Sequence, residues 1–289
     1  MNIEMSKLIE YKVKIEQKST FPKDIPFGYF QYGNLKYGSY IGRHLQEGKI
    51  KENMFIFYEM NHIGRGIKVR YARNNSSFIE FTLSLPTCSN EINLFIETCL
   101  YFSRYWTCSF TFNQKHITSS TLRELENSWQ IENTRMIKNM INEIKIDEDK
   151  VFVLPSAKYE LYLGVQEANL LHPVTSSESF GSWLLHKQEK TIYVPDLFNK
   201  NINHHLSNYI IIPLDVPCLI PNTKDFYQSN DNLSVCFYDN GKELCFISYD
   251  LFLMYLPRQK TFYFDACQKL VSSFEYEDIS CFIEDNYND

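Results

Sequence analysis

Residues 67–106 read IKVRYARNNSSFIEFTLSLPTCSNEINLFIETCLYFSRYW, and two hydrophobic periods divide them. On both sides of the polar residues 74–77, every second residue is apolar: Ile67, Val69 and Tyr71, then Ile79, Phe81, Leu83 and Leu85. Such alternation is typical of strands with one buried face, so it predicts a two-stranded hairpin. After Pro86, where Thr87 or Ser89 can cap a helix, apolar residues recur at helical spacing: Ile92, Phe95, Ile96, Cys99, Phe102 and Trp106. We therefore predict a hairpin followed by an amphipathic helix on its apolar face.

The segments around this hairpin extend it into a layered module. Residues 54–58 are predicted to form a buried strand that joins the hairpin, and the alternation over residues 108–112 predicts another strand after the helix. A loop over residues 113–120 then leads to a long helix, for which residues 121–124 offer a capping box. From the hairpin onward these elements predict a β-β-α-β-α module, which together with the strand at residues 54–58 covers residues 54–146.

A charged segment at residues 147–150 interrupts this pattern, and we place a domain boundary there. The predicted domains are an N-terminal α+β module, residues 1–149, and a second part, residues 150–289, that starts with a β-rich middle segment. Within this segment, residues 182–185 and 191–194 are predicted to pair as a hairpin. Few helix signals occur in the middle third of the chain.

The last third repeats the order of the first module. The tripeptide Asp239-Asn240-Gly241 separates two alternating runs and predicts a tight hairpin. Ser248 can then cap a short helix over residues 249–256, and a strand and a closing helix follow. We therefore expect an α+β protein in which two β-β-α-β-α modules, with mostly antiparallel sheets and helices on one face, flank the β-rich middle segment.

The composition predicts a cytoplasmic protein. A formal net charge of −6 over 289 residues gives no general attraction to nucleic acid or anionic lipid. No apolar run reaches the length of a signal peptide or a membrane span. Eight cysteines without a CxxC pair favour reduced, buried thiols and indicate no metal or cofactor. Abundant Asn and Ile suggest an AT-rich coding sequence, and hence a bacterial or phage origin.

Three residues are candidates for catalysis: His116, Asp239 and Asp265. The two aspartates follow apolar strands, and the ends of strands often carry functional sites. A role in a turn or a helix cap is the alternative for each aspartate. No spacing among the three demands acid–base chemistry.

Other segments resemble functional motifs only superficially. Gly64-Arg65-Gly66 lacks the strand and helix context of a phosphate-binding loop, so turns explain it better. The hydroxyl-rich residues 176–183 contain no nucleophile motif and are predicted to form a loop with a turn at Gly181. His204 and His205 lie in a segment, residues 199–208, whose composition predicts a polar loop. On the hairpin, Lys68 and Arg70 are expected to form cross-strand ion pairs with Glu80.

The order of several short motifs resembles a known family. Gly64-Arg65-Gly66-Ile67 leads through Leu85-Pro86-Thr87 into helix, strand and His116-Ile117-Thr118, and Tyr263-Phe264-Asp265-Ala266 occurs later. This order is similar to that of an uncharacterised bacterial family of roughly 300-residue proteins, a domain of unknown function. The resemblance covers most of the chain and implies no activity and no catalytic residues.

Three functional hypotheses follow from these observations. The first is a non-catalytic protein-binding module, for example an immunity protein or antitoxin, because acidic inhibitors gain association rate against basic toxins. The second is a hydrolase whose site is assembled from loops. The third is a structural or regulatory scaffold that dimerises through an exposed sheet edge.

Overall fold

A computed structural model describes residues 2–5, 9–16, 27–72, 78–106, 109–112, 115–171, 177–202, 205–227 and 233–286. The chain forms two compact units, unit 1 (Met1–Lys190) and unit 2 (Thr191–Asp289). Helices and largely antiparallel sheets occur in both units, which confirms the predicted α+β class. The predicted domain boundary after residue 149 lies inside unit 1. That residues 1–149 and 150–289 are separate domains stays a prediction.

Unit 1 contains eleven described strands and four described α-helices. The strands are β1 (Asn2–Met5), β2 (Ile9–Glu16), β3 (Leu35–Ile41), β4 (His44–Glu47), β5 (Met54–Glu59), β6 (Ile67–Tyr71), β7 (Phe78–Leu85), β8 (Ser109–Phe112), β9 (Lys115–Ile117), β10 (Lys150–Pro155) and β11 (Glu160–Leu163). The helices are α1 (Ser89–Trp106), α2 (Ser119–Ile146), α3 (Val165–Leu171) and α4 (Ser177–Gln188). Strands β2 to β9 form one eight-stranded sheet in the order β4-β3-β5-β6-β7-β2-β8-β9.

The predicted hairpin is the centre of this sheet. Strands β6 and β7 pair antiparallel with Val69 opposite Phe81, and β5 joins β6 as predicted. The apolar residues of these strands pack with Phe95 and Phe102 of α1 and with Trp129 of α2 in one core cluster. The residues that lie between these apolar residues along each strand point to the opposite face of the sheet, which we call the open face.

Two local predictions in unit 1 are wrong. Residues 113–120 are not all loop, because residues 115–117 form β9, which pairs with β8. Helix α2 starts earlier than the proposed capping box, since the hydroxyl of Thr118 accepts a hydrogen bond from the Thr121 amide. The N-cap is therefore Thr118, three residues before the box.

The middle segment contains helices where loops and a hairpin were predicted. Residues 176–183 were predicted as a loop and residues 182–185 as a strand, but the helix α4 covers most of both. Phe180, Trp183 and Leu184 are buried and lie three and four positions apart, which is the spacing of one helix face. Strands β10 and β11 pair antiparallel, and β1 pairs parallel with β10.

Unit 2 contains seven described strands and two described α-helices. They are β12 (Leu197–Ile202), β13 (His205–Pro213), β14 (Cys218–Pro221), β15 (Leu233–Asp239), β16 (Lys242–Ser248), α5 (Tyr249–Met254), β17 (Thr261–Asp265), β18 (Gln268–Val271) and α6 (Tyr276–Asn286). The strands form a four-stranded sheet, β12-β13-β15-β16, and a three-stranded sheet, β14-β18-β17. Both sheets contribute to one apolar core with α5 and α6.

Several predictions for unit 2 are confirmed and one is wrong. Strands β15 and β16 form the tight hairpin, with Asn240 and Gly241 at positive φ values of 45° and 87°. The Ser248 hydroxyl caps α5 by accepting a hydrogen bond from the Leu251 amide. The predicted polar loop over residues 199–208 is instead largely the paired ends of β12 and β13. Antiparallel pairing between β12 and β13 extends both strands into this polar sequence, whereas β15 pairs with β13 only from Asn208 onward.

The two predicted modules share an element order but not a sheet topology. From β6 onward, the first module contains β9 in addition to the predicted elements, and the second module contains β18, so both read β-β-α-β-β-α along the chain. In unit 1 the strands of this module all belong to one sheet, whereas β15 and β16 belong to a different sheet from β17 and β18. The similar order therefore does not reflect a shared arrangement of strands.

Candidate functional site

The three catalytic candidates lie on three different strands. His116 is exposed on the edge strand β9 of unit 1. Asp239 ends β15 and lies opposite Lys242 in the hairpin, whereas Asp265 ends β17 in the other sheet of unit 2. The buried Asp265 carboxylate accepts a hydrogen bond from the Cys267 amide at 3.1 Å, as turn carboxylates do. A catalytic role for each of the three stays a prediction.

Histidines and cysteines do not gather into a metal site in the part of the chain that the structure describes. His204 lies outside the described residues, and His205 begins β13 opposite Ile202. The described cysteines are free thiols: Cys88, Cys99, Cys218, Cys236, Cys245 and Cys267 are buried, and Cys281 is exposed. Cys108 lies outside the described residues.

A concave cavity of about 500 Å³ lies on the open face of the eight-stranded sheet. Its charged lining consists of Lys12, Lys51, Lys68, Arg70, Glu10, Glu52 and Glu80. None of the three catalytic candidates lines it. Four cations face three carboxylates, so the lining carries a small positive surplus in a chain of negative net charge.

Ion pairs connect the charges of this lining across neighbouring strands. Arg70 on β6 contacts Glu80 on β7 at 3.0 Å, which confirms one of the two predicted cross-strand pairs. Lys68 instead contacts Glu10 on β2 at 3.0 Å, and Lys12 contacts the other oxygen of the same carboxylate at 3.3 Å. Partial burial raises the pKa of Glu10, but the two lysines outweigh it and hold that pKa below its usual value.

A tight turn between β4 and β5 forms one wall of the cavity. Glu52 and Asn53 adopt left-handed conformations with φ values of 51° and 61°. The Ser39 hydroxyl fixes the turn by donating to the Met54 carbonyl at 2.8 Å and accepting from the Lys51 amide at 3.1 Å. Asn tolerates this conformation but Glu rarely adopts it, so the turn holds Glu52 at the cavity against its backbone preference.

A buried polar cluster lies just before the start of β6. The Glu91 carboxylate of α1 accepts hydrogen bonds from the Arg65 amide at 2.9 Å, from the Gly66 amide at 2.7 Å and from the Thr87 hydroxyl. The Arg65 side chain donates from Nε to the Pro155 carbonyl at 2.8 Å. Thr87 thus donates to Glu91 instead of capping α1, and Glu91 holds the Gly64-Arg65-Gly66 turn in place.

Burial changes the ionisation of both charged groups in this cluster. It raises the pKa of the Glu91 carboxyl, which the hydrogen bonds from Thr87, Arg65 and Gly66 oppose. It lowers the pKa of the Arg65 guanidinium to about 10, against the attraction of Glu91. The sequence pattern predicts a turn at Arg65 and gives no special role to Glu91. One feature of the sequence does indicate that Glu91 is buried: it directly precedes Ile92, on the apolar side of the predicted helix.

Charge is distributed very unevenly between the two units. Unit 1 contains 23 Lys and Arg and 21 Asp and Glu, whereas unit 2 contains 6 and 14. The formal net charges are therefore +2 and −8. The acidic character of the chain resides in unit 2.

Unit 2 also exposes five large apolar side chains in the segment between residues 251 and 263, which we call the α5–β17 patch: Leu251, Met254, Tyr255, Phe262 and Tyr263. Met254 is 80% exposed and Tyr255 is 57% exposed. Helix α6 contacts this segment, since the ring of Tyr255 lies 5.3 Å from that of Phe282. Lys260, just before β17, contacts Asp278 of α6 at 2.8 Å. Several large apolar side chains exposed within one short segment are typical of an interaction surface.

Comparisons with known proteins identify a family but no characterised relative. In the described ranges, no helix is both long and apolar enough to cross a membrane. The chain matches no curated protein and no solved structure. A family model described as a domain of unknown function, DUF4299, matches residues 10–281 and confirms the resemblance inferred from the short motifs. The chain therefore belongs to the DUF4299 family.

Proposed function

We propose that this protein is a non-catalytic binding protein that recognises a basic protein partner through unit 2. Its role would be that of a bacterial or phage immunity protein or antitoxin that covers a toxin in the cytoplasm. The observation that carries this proposal is the coincidence of a net charge of −8 with the exposed α5–β17 patch in unit 2. A cytoplasmic setting is consistent with the free thiols of the described cysteines.

Charge and apolar surface have different parts in such a complex. Negative charge on unit 2 attracts a basic partner over distance and raises the association rate. The apolar patch provides the area that is removed from water in the complex and slows dissociation. Unit 2 also exposes the acidic residues Glu275 and Glu277 near the start of α6. Binding is therefore expected to weaken with added salt through the association rate.

Removing apolar surface from the patch is expected to weaken partner capture. We expect the double variant Met254→Ser, Phe262→Ser to lose at least about tenfold in affinity, the loss usual for central contacts of an interface. The measurement is cross-linked capture from a lysate of the native host, followed by titration of the purified partner. The salt dependence of the association rate then tests the steering by unit 2.

The matched control removes equally exposed apolar surface from unit 1. Ile131 and Ile146 on α2 are 71% and 87% exposed, and Ile131→Ser, Ile146→Ser is expected to capture the same partner as the native protein. Equal capture by both double variants, or capture of chaperones alone, would contradict the proposal. Self-association in light scattering that only the patch variant abolishes would favour the scaffold hypothesis instead.

A further inference from the structure

Three residues form a row across the open face of unit 1. Lys12 on β2 lies opposite Thr82 on β7, and Thr82 lies opposite Lys68 on β6. Neighbouring strands are about 4.8 Å apart, so the two lysines flank the threonine within the reach of their side chains. All three residues line the cavity. Two ammonium groups and a hydroxyl group thus converge on one place.

In the present structure, this place is occupied by a carboxylate of the chain itself. The Glu10 oxygens contact Lys12 at 3.3 Å and Lys68 at 3.0 Å, so one carboxylate serves two cations. The Glu10 side chain is 31% exposed and the lysine side chains are 53% and 52% exposed. Ion pairs this exposed contribute little to stability, roughly 0–1 kcal/mol each. An incoming anion can therefore displace Glu10 at low cost.

Hydrogen-bond donors without acceptors surround this carboxylate. The Thr82 hydroxyl makes no hydrogen bond to any residue that the structure describes. Ser84, two positions further on the same face, lies opposite Glu10, and its buried hydroxyl also has no partner among the described residues. The same holds for the buried Nη1 of Arg65, whose guanidinium interacts electrostatically with Glu10. Buried polar groups without partners are rare and call for an acceptor.

We propose that the row Lys12–Thr82–Lys68 binds the oxyanion group of a small ligand, a phosphate or a carboxylate, and that Glu10 occupies this site when the ligand is absent. The ligand's remaining atoms would occupy the cavity of about 500 Å³. Two lysines and hydroxyl donors suit such a group, because Lys binds phosphate as a point charge. This site lies in unit 1 and does not rest on the function proposed for unit 2.

The decisive experiment removes the internal carboxylate. In Glu10→Gln, the affinity for inorganic phosphate or acetate is expected to rise about three- to tenfold, because a competing ion pair is lost. The matched control is Glu80→Gln, which removes the same charge from the same face but leaves Glu10 in place. Isothermal titration calorimetry at 0.15 M ionic strength measures both variants and the native protein. Comparing phosphate with acetate identifies the class of oxyanion.

A second pair of variants tests the donors. Lys68→Gln and Thr82→Val are each expected to lower the affinity of the preferred anion at least about threefold, whereas Lys14→Gln, outside the cavity lining, is expected to leave it unchanged. Thermal unfolding of each variant checks that it is folded. The proposal is overturned if neither anion binds, if both glutamate variants raise the affinity equally, or if the Lys68 and Lys14 variants behave alike.

Discussion

Replacing Glu91 by alanine is expected to lower the free energy of unfolding by about 2–4 kcal/mol, because two buried backbone N–H groups would lose their acceptor. These are the amides of Arg65 and Gly66, at 2.9 Å and 2.7 Å from the carboxylate. The Thr87 hydroxyl would also lose its acceptor, and the buried Arg65 guanidinium would lose a nearby negative charge. Denaturant unfolding followed by circular dichroism measures the change.

Glu97→Ala provides the control on the same helix. The Glu97 side chain is 57% exposed and contacts Arg123 at 3.0 Å. Exposed ion pairs contribute about 0–1 kcal/mol, so this variant is expected to unfold almost as the native protein does. If both variants lost equal stability, Glu91 would have no special part in holding the turn.

The pH dependence of the unfolding free energy tests whether the ionisable carboxyl group of Glu91 matters, and not only the space that its side chain fills. Burial raises its pKa in the folded state above the unfolded value near 4.5, so the folded state binds the proton more strongly. The stability that this group contributes by proton linkage is largest below pH 4.5 and decreases as pH rises through the folded-state pKa. Unfolding of Glu91→Gln is expected to lack this decrease. Parallel pH profiles of the two proteins would contradict the assignment.

Asn133→Ala is the second substitution expected to have a large effect, again about 2–4 kcal/mol. The fully buried Asn133 amide accepts a hydrogen bond from the Thr87 amide at 2.8 Å and donates one to the Thr87 carbonyl at 2.8 Å. Alanine leaves both backbone groups of Thr87 buried without a partner, and it leaves a small cavity beside α2. Thermal unfolding by calorimetry measures the loss.

Gln130→Ala, one helical turn before Asn133, separates this effect from a general weakening of α2. Gln130 is only partly buried, and its amide donates to the Ser89 carbonyl at 3.0 Å and to the Asn93 side chain at 3.1 Å. Water can replace these bonds, so the expected loss is below about 1 kcal/mol. A loss from Gln130→Ala equal to that from Asn133→Ala would show that the bonds to Thr87 are not decisive.

The strands around residue 67 and the helix α1 could be predicted because their signals are local. Alternation in Ile67, Val69 and Tyr71 depends only on neighbours in the chain, and the structure places all three in the core. Helix α4 has no comparable signal. Gly181 lies in its interior, and a Cβ added there would lie 2.6 Å from the Cβ of Cys88. A close tertiary contact thus requires a glycine inside a helix, which makes the sequence read as a turn.

The cavity and the buried cluster could not be predicted, because non-local pairing creates both. Glu10 and Lys68 are far apart in the chain and meet only because β2 inserts beside β7. The hairpin pattern therefore predicts an ion pair between Lys68 and Glu80 and does not indicate Glu10. Glu91 likewise appears as an ordinary first-turn residue of α1 until the turn around Arg65 is placed against it. Residue spacing carries no information about either contact.

Helix α2 restricts how the length of unit 1 can vary. It spans 28 residues; Leu122 and Trp129 pack with the eight-stranded sheet and α1, and the helix also contacts α3, α4 and β10. Inserting one residue near its middle would rotate everything after it by about 100° and shift it by about 1.5 Å. Contacts before and after the insertion could not both survive. We therefore expect length changes to be tolerated in the connections between elements and excluded from this helix.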